Sequence, residues 1–360
     1  MVNSFQRHVA LQGAAAIEFA GEAAHTEPTV YFKALLGVYR KYNALVISDL
    51  KYDPALRAAF QRGCAQFMGD NAVTKASKST TKSAELLARY CNILLRKGTA
   101  NLEESELEEE LSRVIVLFEF LQDKDVFHRV YHSQLARRLV DKMSVSEDLE
   151  EHAIKRFIES DKDCGFGHKE RQMFNDINLS KHFNQDSRFT RLGLNVQIRS
   201  NGAWPFQQPI DCSRPPKLEQ CVQSFTSFYT NQYQGRKLQW LHSLTKGELV
   251  THCFKQKYVI QASALQMTVL LQYNVATVWT VAQLAQTTGI QIEYLLRVLE
   301  VLIKKKLLLS DEEQLELTSN LTLNTKYNNR KLRLNINVPV KLERNREQEI
   351  HQRQVGQSRC

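Results

Sequence analysis

The chain has 360 residues, 43% hydrophobic and 24% charged, a globular composition with room for several domains that excludes the disordered and fibrous classes. Its formal charge of +9 is local: residues 326–360 hold nine basic side chains against three acidic, residues 124–142 hold five against two, and the remainder sums to zero. Such uneven basicity argues for a specific acidic partner, and no apolar run reaches the ~18 residues that a membrane span needs.

The first 70 residues are rich in Ala and other helix formers, and Phe32, Leu35, Leu36 and Tyr39 fall on one helical face. Residues 71–82, small or polar apart from Val73, show no periodicity and read as an exposed loop. Four amphipathic helices are predicted next. The first, over 84–96, gathers Leu87, Tyr90, Cys91 and Leu94; the second, over 103–121, has an acidic first turn that suits the helix dipole. The third, over 125–140, carries Phe127, Tyr131, Leu135 and Leu139 as an i, i+4 stripe, and the fourth is capped by Ser146 and runs toward Ile158. Short links between them suggest a bundle.

After Gly165 and Gly167 the period changes. Leu192, Leu194, Val196 and Ile198 alternate with polar residues and Gly193, the pattern of a half-buried strand. Strand-like runs recur at 237–242, 248–254 and 257–262, with a helix predicted over 218–229. From Ser263 come three helical patterns, 264–273, 281–286 and 292–306, with a turn at Gly289 before the third. Strand-like runs at 315–318 and 331–338 then complete the order of a winged helix. The expected fold is mainly α with an α+β part: a helical repeat end (1–75), a four-helix bundle (76–180), an α/β domain (181–262), a winged helix with terminal strands (263–340) and a charged tail (341–360).

Enzyme signatures fail. His128 and His132 lie four apart on a helix, but Arg-Val-Tyr between them supplies no general base, so a structural or solvent-exposed role is expected. Cys164-Gly-Phe-Gly-His168 reads as a turn, since it lacks both the spacing and the context of a phosphate loop. Seven scattered cysteines, never spaced C-x-x-C, fit reduced thiols in an intracellular protein; no disulfide framework, metal or cofactor is expected. The third winged-helix segment, 292–303, has eight aliphatics, two acids and one base, poor material for meeting phosphates. Nucleic-acid binding therefore stays the alternative reading. Arg137 lies off the apolar stripe of its helix and Arg138 near the edge, so Arg138 must snorkel or find a carboxylate. Lys331 and Arg333 alternate with Leu332 and Leu334 to give a cationic strand face, either solvated charge or a groove for an acidic peptide.

Several ordered blocks carry a resemblance. Lys124-Asp-Val-Phe with Gln134-Leu-Ala-Arg-Arg-Leu, then Gly202-Ala-Trp-Pro, Gly247-Glu-Leu-Val, Ser263-Ala-Leu-Gln-Met-Thr-Val-Leu-Leu-Gln-Tyr-Asn and Asn335-Ile-Asn-Val-Pro resemble the cullin family, closest to the cullins of SCF ubiquitin ligases. The resemblance runs from about Tyr31 to about Gln348. It implies a non-catalytic scaffold, cytoplasmic and nuclear, whose α/β domain takes a strand from a RING-H2 protein of the Rbx/Roc type, which in turn recruits a ubiquitin-conjugating enzyme. Positions matching the RING-binding region are Leu192, Leu194, Val196 and Ile198, with Trp204 nearby. Those matching a basic canyon for the conjugating enzyme's acidic tail are Arg137, Arg138, Lys326, Arg330 and Lys331. The match begins near the end of the family's helical repeats, which puts the Skp/F-box adaptor in doubt. It stops before the second winged helix that carries the family's modified lysine, so no acceptor lysine is expected here.

Overall fold

The computed structural model describes residues 2–48, 53–98, 102–161, 166–191, 193–205, 213, 216–312 and 314–337. The chain divides into two compact units, Met1–Phe206 and Gln207–Cys360. Among the described residues no helix is long and apolar enough to cross a membrane.

The first unit is helical: α1 (Val2–Ala20), α2 (Ala23–Thr26), α3 (Pro28–Ser48), α4 (Pro54–Gly69), α5 (Ala72–Ser77), α6 (Lys82–Leu95), α7 (Glu104–Phe118), α8 (Lys124–Asp141), α9 (Glu147–Ser160), α10 (His168–Asn184) and α11 (Ser187–Arg191). Helix starts follow local chemistry. The Asp53 side chain accepts the Leu56 N–H ahead of Pro54, and Ser146 accepts that of Leu149. The four predicted bundle helices appear as α6 to α9, and the α8 stripe Phe127, Tyr131, Leu135 and Leu139 is buried along its length. Phe118, Phe127 and Phe157, with ring centroids 4.8–5.1 Å apart, lock α7, α8 and α9 together. Within the loop predicted over 71–82, residues 72–77 instead form α5 and Lys82 opens α6, leaving 78–81 as the turn between them. Asn71 and Thr74 form a capping box, and the fully buried Asn71 also donates to Phe67 O at 2.9 Å. Both histidines of α8 serve structure: His128 stacks on Phe166 (4.0 Å) beside Asp161, and His132 meets Glu170. Of the Cys164 to His168 run, residues 164 and 165 lie outside the described set; Phe166 and Gly167 form the predicted turn, with Gly167 at φ +101° opening α10.

The second unit contains α12 (Pro216–Gln232), a 3₁₀ turn (His242–Leu244), β1 (Lys246–Val250), β2 (Val259–Ser263), α13 (Ala264–Gln272), β3 (Val278–Thr280), α14 (Val281–Thr288), α15 (Ile292–Lys304), β4 (Leu308–Ser310), β5 (Asn320–Leu323) and β6 (Arg333–Asn335). Ser263 and Thr280 each form capping boxes with the glutamine three residues on, and Gly289 ends α14 at φ +65°. Leu265, Val281, Leu295, Leu299, Leu302 and Leu321 make a core separate from that of the first unit. The winged-helix order holds, but its strands differ from those predicted. The sheet is β3-β5-β4, all antiparallel, and 315–318 is the connection between β4 and β5 rather than a strand. Residue 338 of the 331–338 run lies outside the described residues; the described part contributes β6, which leaves the wing and pairs in parallel with β2 in the sheet β1-β2-β6. The 237–242 run joins no ladder among the described residues.

Candidate functional site

Gly193 (φ +66°) and Gly202 (φ +82°) bracket an extended segment, residues 194–200, that follows α11. Its side chains alternate as predicted: Val196 and Ile198 are buried, Leu194 and Gln197 half-buried, Asn195 exposed. Leu192 lies outside the described residues. The segment is not a strand of any sheet among the described residues, because its neighbour is a helix. Side chains of α10 take the even-numbered backbone groups. Asn184 accepts the Val196 N–H at 2.7 Å and donates to Val196 O at 2.8 Å. Ser180 Oγ accepts the Ile198 N–H at 2.8 Å, and Asp176 accepts the Ser200 N–H at 2.7 Å. The odd-numbered backbone groups of a strand point the opposite way. Those of Asn195 and Gln197 make no hydrogen bond among the described residues.

Trp204 closes the segment. Its Nε1 donates to Asp176 at 2.8 Å, its ring carries the Arg199 guanidinium at 5.3 Å, and its side chain belongs to the core of the first unit. Burial drops the Arg199 pKa to about 10, against a smaller raising effect of Asp141. Val196, Ile198 and Trp204 are thus all turned inward.

The expected acidic-tail residues divide. Arg138 is buried, 2% exposed, and makes a bidentate pair with Glu150 at 2.6 and 2.8 Å plus a bond to Asn92 at 2.7 Å. Burial alone would lower its pKa, but the Glu150 carboxylate more than offsets that and raises it. A docking peptide cannot reach Arg138, which corrects its place in the canyon; the carboxylate partner required by its position is Glu150. Arg137, one residue earlier in the same unit, is exposed. Lys326, Arg330 and Lys331 are exposed on one loop of the second unit. That loop is pinned by Tyr258, whose hydroxyl accepts the Asn329 N–H at 3.0 Å, and by the Tyr327 ring, 5.4 Å from both Phe254 and Tyr258. The clip draws in the 251–258 loop, which adds exposed Lys255 and Lys257. Leu332 is 55% exposed, so the predicted strand alternation starts only at Leu334.

Two family models cover most of the chain: the cullin alpha solenoid domain over residues 1–184 and the cullin alpha+beta domain over 198–327. The chain belongs to the cullin family. It is 38% identical to Cullin-1 of Dictyostelium discoideum over 94% of this chain and 46% of that protein. Identity to Cullin-1 of Caenorhabditis elegans is 32%, over 99% and 48%, and to that of Schizosaccharomyces pombe 31%, over 96% and 46%. This cullin chain thus spans about half the length of the curated relatives it matches. In it, α15 buries Leu295, Val298, Leu299 and Leu302 and exposes Glu293 and Glu300, with Arg297 bonded to Glu293 at 3.4 Å. That is a helix whose aliphatic face is spent on packing.

Sequence reasoning missed Asp176, Ser180 and Asn184, whose i, i+4, i+8 spacing was visible but reads as an ordinary polar helix face. Lys255 and Lys257 were equally visible; only the aromatic clip relates them to residues seventy positions away.

Proposed function

We propose that this chain is a non-catalytic scaffold of a cullin-RING ubiquitin ligase, in cytoplasm and nucleus, that docks a RING-H2 protein of the Rbx/Roc type and through it a ubiquitin-conjugating enzyme. The observation that carries this reading is the extended segment 194–200, held along one side by α10 and presenting the backbone of Asn195 and Gln197 on the other. Strand addition suits such an edge: main-chain bonds supply affinity and alternate side chains supply register. The cationic loops around Lys326, Arg330 and Lys331 give an acidic tail on the conjugating enzyme a surface that steers encounter without adding chemistry.

Reconstitution tests it. The chain, co-expressed with a RING-H2 protein of that type, should co-purify with it in equal amounts, and the pair should speed ubiquitin-chain assembly by an acidic-tailed conjugating enzyme. Charge reversal at Arg330 and Lys331 should slow that capture while RING binding stays intact. A RING protein that elutes separately from the chain contradicts the scaffold reading.

A further inference from the structure

We infer that α10 is a clamp that pre-forms the docking edge: Asp176, Ser180 and Asn184 stand in for a neighbouring strand, holding residues 196, 198 and 200 extended so that Asn195 and Gln197 meet an incoming extended peptide ready-made. This rests on the docking reading above and assigns positioning residues to it.

The geometry explains why a helix can do this. Four residues of helix advance about 6 Å, and two residues of strand about 6.6 Å, so side chains at i, i+4 and i+8 keep step with alternate strand residues. The pairing runs antiparallel, Asp176 with Ser200, Ser180 with Ile198, and Asn184 with Val196. Asn184 makes the substitution most fully. Its amide both accepts from and donates to Val196, as the backbone of a paired antiparallel strand residue would.

Each rung is itself held. The Ser180 hydroxyl proton goes to Asp176 O at 2.7 Å, which leaves its lone pairs to the Ile198 N–H. The buried Asp176 carboxylate collects Ser200 N–H, Ser200 Oγ, Trp204 Nε1 and Gln172 Nε2 at 2.7–3.1 Å. Buried or half-buried polar side chains that bond to three alternate residues of one backbone segment fix that segment's conformation. A segment already extended does not have to be ordered at the moment of binding, which is where pre-organisation adds affinity.

Residue-resolved amide exchange on the full chain, alone and with the RING-H2 protein, tests the inference. Alone, the amides of Val196, Ile198 and Ser200 should exchange slowly and those of Asn195 and Gln197 fast; with the partner, these two should become protected. Asn184→Leu, which keeps size and loses both bonds, should weaken RING capture about tenfold. Asn184→Asp keeps the acceptor for the Val196 N–H and should recover part of the loss. A partner that binds without changing exchange at Asn195 and Gln197, or that binds Asn184→Leu as tightly as wild type, overturns the clamp and leaves the docking reading standing. A partner that does not bind the wild-type chain at all overturns both. The exchange pattern of the wild-type chain decides even where a variant fails to fold.

Discussion

Neighbouring arginines on α8 have opposite fates, and single substitutions separate them. Arg138 is sealed against Glu150, with Ser144 and Tyr131 also donating to that carboxylate at 2.8 and 3.3 Å, whereas Arg137 is exposed. Glu150→Leu leaves a buried guanidinium without its counter-charge and should cost about 3–5 kcal/mol in urea unfolding. The double variant Arg138→Met, Glu150→Leu should regain only part of that: the unpaired charge is gone, but the buried Ser144 and Tyr131 hydroxyls still lack the carboxylate they donate to. Arg137→Glu should stay within about 0.5 kcal/mol of wild type. A destabilisation by Arg137→Glu as large as that of Glu150→Leu would contradict this division. Glu170 supplies a pH dependence. Burial pushes its carboxyl up, but the hydrogen bond from His132 and the N–H groups of Glu170 and Gly167 more than offset that, holding it below its ordinary 4.5. Its contribution is therefore fully present above pH 4.5 and is lost as pH falls through the depressed folded value. The stability gap between wild type and Glu170→Gln should be constant near neutrality and shrink below about pH 4.5; a gap that widens on acidification would be inconsistent with a depressed carboxyl.

At the scale of elements, close approach decides signs that propensity gets wrong. A Cβ on Gly13 in α1 would collide with the Phe67 ring of α4, and one on Gly63 of α4 would lie 2.9 Å from Gln6 O and Val9 Cβ of α1. Gly37, inside α3, has open space around it. Ala at a helix interior gains up to about 1 kcal/mol over Gly, but overpacking costs about 1–3 kcal/mol. Gly37→Ala should thus raise the midpoint of thermal unfolding and Gly13→Ala lower it; equal shifts would show that α1 and α4 are not in close contact. The same distinction governs what the sequence disclosed. Helices α6 to α9 were legible because their stripes repeat along three or more turns and, for α7 and α9, the caps are local. Helix α5 was not, because its one buried apolar residue is Val73 and its burial depends on Asn71 reaching Phe67 O and Tyr31, the latter forty residues away. Periodicity alone places the 331–338 run in the wing, because it records which face is buried and says nothing of the partner; β6, within that run, pairs with β2. Segment 194–200 shows the same limit: the alternation of Val196 and Ile198 was plain, while the helix that holds their backbone was not.

Over the whole molecule, charge is partitioned as the cores are. The second unit, residues 207–360, holds 20 basic side chains against 12 acidic, so it carries +8 of the chain's +9, and the first unit is close to neutral. The two proposed attachments fall on opposite sides of that division. Docking at 194–200 uses backbone pairing in the near-neutral unit, and acidic-tail capture uses exposed cations of the other. Ionic strength distinguishes them, because a screening length of about 14 Å at 0.05 M falls to about 4 Å at 0.5 M, shorter than the reach between a tail and a set of separated lysines. Over that range the association rate of an acidic-tailed conjugating enzyme should fall about tenfold or more, while the affinity for the RING-H2 protein should change less than about threefold. Stopped-flow capture and equilibrium titration on the same preparation measure both. Equal salt sensitivity of the two would mean that the RING protein is also held by charge, and that the backbone edge is not the main source of its affinity. Insensitivity of both would remove the cationic loops from enzyme capture, leaving their exposed lysines and arginines as solubilising charge.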